Sequence, residues 1–255
     1  MTQRQARAKP DGGATDQERR SADPRSTEAL RRGQPVCDLG ALRSPQAVRQ
    51  LTGISLDRRV IEAVERHAAV RRVRLVGSRA AGTATAVSDW DFAVETEDFH
   101  AVARDIGLLA ATLDPLAQQW DRLSETQCWM VILPGPVKLD FIFEEPHNHE
   151  PPWRPEPSNL AAIDAHFWDW ALWLLAKRVK GRRDLVASEL HKMFKHILHP
   201  MGVQVPPDSL DKAGASYLLA RARLEHDLGV TVPRTLEREA VRALHDNGVV
   251  TTPLT

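Results

Sequence analysis

The sequence lacks net charge, long apolar runs and all but two cysteines. Lys+Arg and Asp+Glu number 34 each in 255 residues, so the formal net charge is zero. That balance excludes strong default attraction to nucleic acid or to anionic membrane. No apolar run approaches the roughly 20 residues that span a bilayer. The first residues hold no apolar stretch of the kind a secretory signal carries. Cys37 and Cys128 are too few for a disulfide framework and fit a reducing compartment. These absences predict a soluble, cytoplasmic protein. What is present is a chain with 42% hydrophobic residues. At this length it forms one large domain or two small ones, with a core that needs no covalent staples.

Residues 1–34 are Arg, Ala, Gly, Asp, Ser and Thr with few large apolar side chains, and are expected to be a disordered tail. Val60, Ile61, Val64 and Ala68 recur at helical spacing and predict a helix over 57–69. Val73–Val76 is a short strand that stops at Gly77-Ser78, and a loop of small residues follows to Ser88. Asp89–Val94 alternates like a strand, 99–113 reads as a helix, and two strands flank Pro134-Gly135-Pro136 over 127–133 and 137–143. Five prolines between 145 and 158 mark a joint. Beyond it the pattern is helical over 161–179, 185–198, 208–228 and 234–246, with Gly229 and Gly248 as stops. The expected organisation is a tail over 1–34, a strand-containing catalytic domain over 35–145, a Pro-rich linker over 146–160 and a helical domain over 161–255.

The chemistry concentrates between Val73 and Val94. A strand ending in Gly77-Ser78 lets backbone N–H groups approach a ligand closely. Successive N–H groups in such a turn favour anions, phosphate above all. Ser78 adds a hydroxyl, and Arg79 adds a charged fork if it is not simply solvated. Asp89 and Asp91 stand two apart in a strand, so both carboxylates face the same way. Side by side they repel unless a cation sits between them, and magnesium suits that place. Downstream, Asp140 interrupts the apolar strand Val137–Phe143. If that strand lies beside the first, three carboxylates converge, enough to hold two metal ions.

Gly77-Ser78, ten residues, Asp89-x-Asp91 and a later apolar-Asp-apolar strand resemble the DNA polymerase beta-type nucleotidyltransferase superfamily. At average residue usage the fixed four-residue pattern arises by chance about once in several hundred chains of this length. The resemblance covers roughly 57–143. More loosely, Phe167–Lys177 and the turn Lys180–Leu185 resemble the aromatic-rich helix and following turn of antibiotic nucleotidyltransferases, such as streptomycin adenylyltransferases. The resemblance implies an α/β (α+β) core with a short mixed sheet flanked by helices, plus a C-terminal helical bundle. It implies transfer of a nucleoside monophosphate, AMP, from an NTP, ATP, to a hydroxyl on an aminoglycoside- or lincosamide-like antibiotic. Asp89 and Asp91 would bind two Mg2+ ions. Asp140 would bind the catalytic one and help deprotonate the acceptor. Gly77 and Ser78 would hold the β and γ phosphates, Arg79 would join the nucleotide contacts, and Lys177 would touch the phosphates.

One departure is Trp90, where the family usually has a small aliphatic residue. Strand alternation turns it away from the metals. Trp168, Trp170 and Trp173 read as core more readily than as a stacking platform. His147 and His149 lack the partners of a zinc site and read as loop residues. The alternative function is that of a minimal nucleotidyltransferase antitoxin, which adenylylates or binds a protein partner. The long helical half weighs against it. Zero net charge leaves no footprint for a nucleic-acid acceptor.

Overall fold

In the computed structural model, residues 55–249 are described, and they fall within one unit, Asp38–Thr255. The expected tail over 1–34, the first part of the expected catalytic domain over 35–54, Cys37 and the last six residues lie outside them. The first helix, α1 (Leu56–Val64), is shorter than its apolar spacing predicts. Local side chains end it. Glu65 accepts the Val73 N–H at 2.9 Å, and the His67 ring accepts the Ala69 N–H at 3.2 Å. These bonds offer the backbone an alternative to another helical turn. Ala68 is left exposed in the link.

β1 (Val70–Val76) leads into a single helical turn, α2 (Gly77–Ala80), and a loop before β2 (Trp90–Thr96). α3 (Phe99–Ala111) starts at Asp98, whose side chain accepts the Ala101 N–H at 3.0 Å, an N-terminal cap. β3 (Ala117–Trp120), β4 (Thr126–Leu133) and β5 (Val137–Pro146) complete a five-stranded sheet in the order β1-β2-β5-β4-β3. The short strand β3 escaped the sequence reading because Ala-Gln-Gln-Trp holds no β-branched residue. Pairing with β4, Trp120 opposite Trp129, supplies what its propensity lacks. β2 and β5 run parallel and set Asp91 opposite Asp140. All the other neighbouring pairs are antiparallel.

The sheet is a middle layer, as strand alternation requires. Phe92, Val94, Val131, Leu139, Phe141 and Phe143 turn to one side and pack with Val60 and Val64 of α1 and Val102, Ile106 and Ala110 of α3. Met130 and Ile132 turn to the other side and join the core of the helical half. That half consists of α4 (Leu160–Val179), α5 (Arg183–Met193), a π-helical turn (Phe194–Leu198), α6 (Leu210–Leu228) and α7 (Thr235–Asp246). The pattern over 185–198, read as one helix, is thus two pieces. α4 is apolar nearly all round, with Ile163, Phe167, Trp168, Ala171, Leu174 and Leu175 buried, because it lies between the sheet and the other helices. Trp168 and Trp170 are buried and Trp173 is half-buried. α6 ends at Gly229, whose φ of 66° is the left-handed conformation that stops a helix. This is a mixed sheet flanked by helices with a helical C-terminal region. Among the described residues no helix is long and apolar enough to cross a membrane.

Candidate functional site

The parallel pair β2/β5 creates the site. Asp91 and Asp140 are direct partners across it, and Asp89 lies two residues upstream on the same face. One carboxylate oxygen from each of Asp89, Asp91 and Asp140 lies within 4.8 Å of the others. The sequence reading left open whether the two strands were neighbours, and the sheet order makes them so.

Gly77 approaches this cluster from β1. Its φ of +65° favours glycine, and a Cβ there would overlap the Asp91 carboxylate, with Cγ only 2.9 Å away. Ser78 is half-buried in the following turn, and its carbonyl accepts the Thr83 N–H at 2.9 Å. Arg79 engages the protein. Its Nε donates to the Ser88 and Asp89 carbonyls at 3.2 and 3.0 Å, and its guanidinium carbon lies 4.0 Å over the Trp90 ring. The Ser88 side chain accepts the Thr85 N–H at 2.9 Å. Together these bonds hold the loop that delivers Asp89. Trp90, expected to turn away from the carboxylates, packs against the α1/α3 side of the sheet.

α4 crosses the open face. Lys177 Nζ sits 4.6 Å over the Trp173 ring. Burial pushes the Asp91 carboxyl up, and the Asp89 charge pushes it further; Lys138, Lys177 and Lys180 oppose both. Lys177 is thus within range for its charge to act on Asp91. Lys180 acts on it in the same way, and the structure brings to the trio two residues that the sequence reading did not single out for the site, Lys138 and, through it, Asp169.

Lys138 is the most informative of them. It lies two residues before Asp140 on the same face of β5 and is 8% exposed. Its ammonium donates to Asp140 Oδ1 and Oδ2 at 2.6 and 2.5 Å and lies 3.3 Å from Asp169 Oδ1 of α4. Burial raises the Asp140 carboxyl to about 6, although Lys138 pulls it down. Asp169 is raised well above the usual carboxylate range, again chiefly by burial. Two signals for this pair stand in the sequence: a lysine at period two from Asp140 in an apolar strand, and an aspartate in a helix that is otherwise almost wholly apolar.

The trio suits a hard divalent cation. It offers oxygen ligands only, and the Asp91 and Asp140 carboxyls are raised by burial and by neighbouring carboxylates, a repulsion that a bound cation relieves.

Residues 57–148 match the family model of the nucleotidyltransferase domain. The stretch from α1 to the end of β5 is thus a nucleotidyltransferase domain, in keeping with the resemblance carried by Gly77-Ser78 and Asp89-x-Asp91. No curated protein matches the chain. Among solved structures, an aminoglycoside 6-adenyltransferase from Bacillus subtilis is similar at 10% identity, with 74% of this chain and 96% of that one covered and a TM-score of 0.26.

Proposed function

We propose that this chain transfers a nucleoside monophosphate, AMP, from ATP to a hydroxyl of a small molecule, of the aminoglycoside or lincosamide kind. The observation that supports it best is the meeting of Asp89, Asp91 and Asp140 beside the Gly77-Ser78 turn, inside a nucleotidyltransferase domain.

In this reading Asp89 and Asp91 would hold two Mg2+ ions and Asp140 would be the third ligand. The bound metal supplies charge neutralisation at the triphosphate and lowers the pKa of the attacking hydroxyl. The chain's own part is positioning. Gly77 and Ser78 present backbone N–H groups and a hydroxyl to the β and γ phosphates. Lys177 reaches them from α4. Arg79 serves the nucleotide by holding the loop between Gly77 and Asp89. The catalytic domain then spans 35–145, the linker 146–160, and the helical domain over 161–255 closes the cleft and supplies the acceptor wall.

The test is pyrophosphate release with Mg2+ and each NTP, against a panel of aminoglycosides and lincosamides, with Asp89→Ala as control. Release that depends on one acceptor and is lost in the variant supports the reading. Release triggered only by a protein fraction favours the antitoxin-like alternative.

A further inference from the structure

Strand alternation puts Lys138 and Asp140 on the face of β5 that meets the helical half. Their cross-strand partners Ile132 and Met130 are fully buried there. A lysine in this position is shut off from water, so its ammonium must find partners inside. Lys138 Nζ donates to both oxygens of Asp140, at 2.6 and 2.5 Å, and stands 3.3 Å from Asp169 Oδ1 as an ion pair. Asp169 Oδ1 is buried and makes no hydrogen bond, so the Lys138 charge is what compensates it. Because the ammonium straddles both Asp140 oxygens, the carboxylate cannot rotate without losing a charged bond. Each oxygen keeps a second lone pair for another partner. The far end of the chain of contacts, Asp169, belongs to α4, the helix that also carries Lys177.

We infer that Lys138 is the positioning residue of the metal site: it sets the orientation of Asp140 toward Asp89 and Asp91 and ties that orientation to helix α4 through Asp169. The inference rests on the metal-dependent reading above. It makes a prediction whose sign opposes the simplest electrostatic expectation. A fixed positive charge beside a cation site repels the cation, so removing a lysine that acted only as a charge tightens metal binding. Removing a lysine that orients a ligand weakens it.

The experiment is a Mn2+ titration of the full chain without nucleotide, with free Mn2+ followed by electron paramagnetic resonance, for wild type, Lys138→Met and Asp169→Asn. Circular dichroism and thermal melting report folding separately. The expected result is an affinity lowered about 10- to 100-fold in Lys138→Met, the range found when partners that orient metal ligands are removed. Asp169→Asn moves in the same direction by a smaller factor. Unchanged or tighter Mn2+ binding in folded Lys138→Met overturns the inference, whatever the melting temperature does. Should that variant fail to fold, Asp169→Asn decides: weakened binding supports the tie to α4, and unchanged or tighter binding overturns it. Absence of Mn2+ uptake by the wild type overturns the metal reading itself, an outcome distinct from a variant result on an intact wild-type site.

Discussion

Two groups of buried carboxylates sit on either side of helix α4's role, one in the helical core and one at the sheet. In the helical core, Asp164 Oδ1 accepts from Trp168 Nε1 at 3.2 Å, Tyr217 Oη at 2.6 Å and Arg221 Nη1 at 2.6 Å. Arg221 continues to Glu237, and Phe167 stacks on the Tyr217 ring at 3.7 Å. At the sheet, Lys138 bonds Asp140 of the trio Asp89, Asp91 and Asp140, while Lys177 and Lys180 act on Asp91 through their charge alone. Burial raises carboxyls in both places. It is opposed by three donors at Asp164 but reinforced by Asp89 at Asp91. A buried acid surrounded by donors builds the fold. A buried acid beside other acids leaves charge for a ligand to complete.

The comparison breaks first at Arg221. Arg221→Met leaves the buried Asp164 without its cation and Glu237 with Arg234 alone, and breaking such a buried pair costs about 3–5 kcal/mol. Denaturant unfolding measures it, and Mn2+ affinity of the folded fraction stays at the wild-type value. A loss below about 1 kcal/mol would remove the structural half of the contrast.

Asp91→Ala is the counterpart at the sheet. Nucleotidyl transfer falls by at least about 100-fold, the scale of losing one group that stabilises transition-state charge. The melting temperature of the metal-free chain does not fall, because the substitution removes a carboxylate already disfavoured by burial and by Asp89. Paired kinetic and melting measurements check both parts.

Gly77→Ala sharpens the link between backbone and carboxylates. The added methyl forces a left-handed φ on alanine and displaces the Asp91 carboxylate. The strain costs about 1–3 kcal/mol in stability. Transfer activity falls more than that loss alone explains, which activity per folded molecule measures.

The smallest effect is the pH response. With the Asp140 carboxyl raised to about 6, a proton competes for this ligand as pH falls through that value, and Mn2+ affinity drops by up to about tenfold per pH unit. The sign for stability is opposite. The raised carboxyl contributes stability that is fully present below 3.8 and lost as pH rises through about 6. Loss of metal near pH 5 from this group is therefore not unfolding, and a melting curve at each pH separates the two.

Local patterns made some of this legible beforehand. Asp89 and Asp91 stand out because period two places them on one face of a strand. Gly77 stands out because a strand ends there. The helix expected over 99–113 is there, over Phe99–Ala111. Other features had no local signal. The end of α1 at Val64 depends on Glu65 reaching Val73, and β3 exists because β4 pairs with it. Lys138 and Asp169 carried signals that only a partner makes meaningful. A lysine in an apolar strand and an aspartate in an apolar helix are separate oddities until the sheet meets α4.

By itself, then, the sequence determined that Asp89 and Asp91 share one face of a strand and that Trp90 takes the other, because that follows from short-range periodicity and the chirality of the backbone. Tertiary structure alone decided that β2 and β5 are parallel neighbours, that Asp140 stands opposite Asp91, and that a buried lysine from the same strand joins it to a helix of the other half. Those facts depend on contacts between residues far apart in the chain. They are selected by the burial of two sheet faces at once and by the need of each buried charge for a partner.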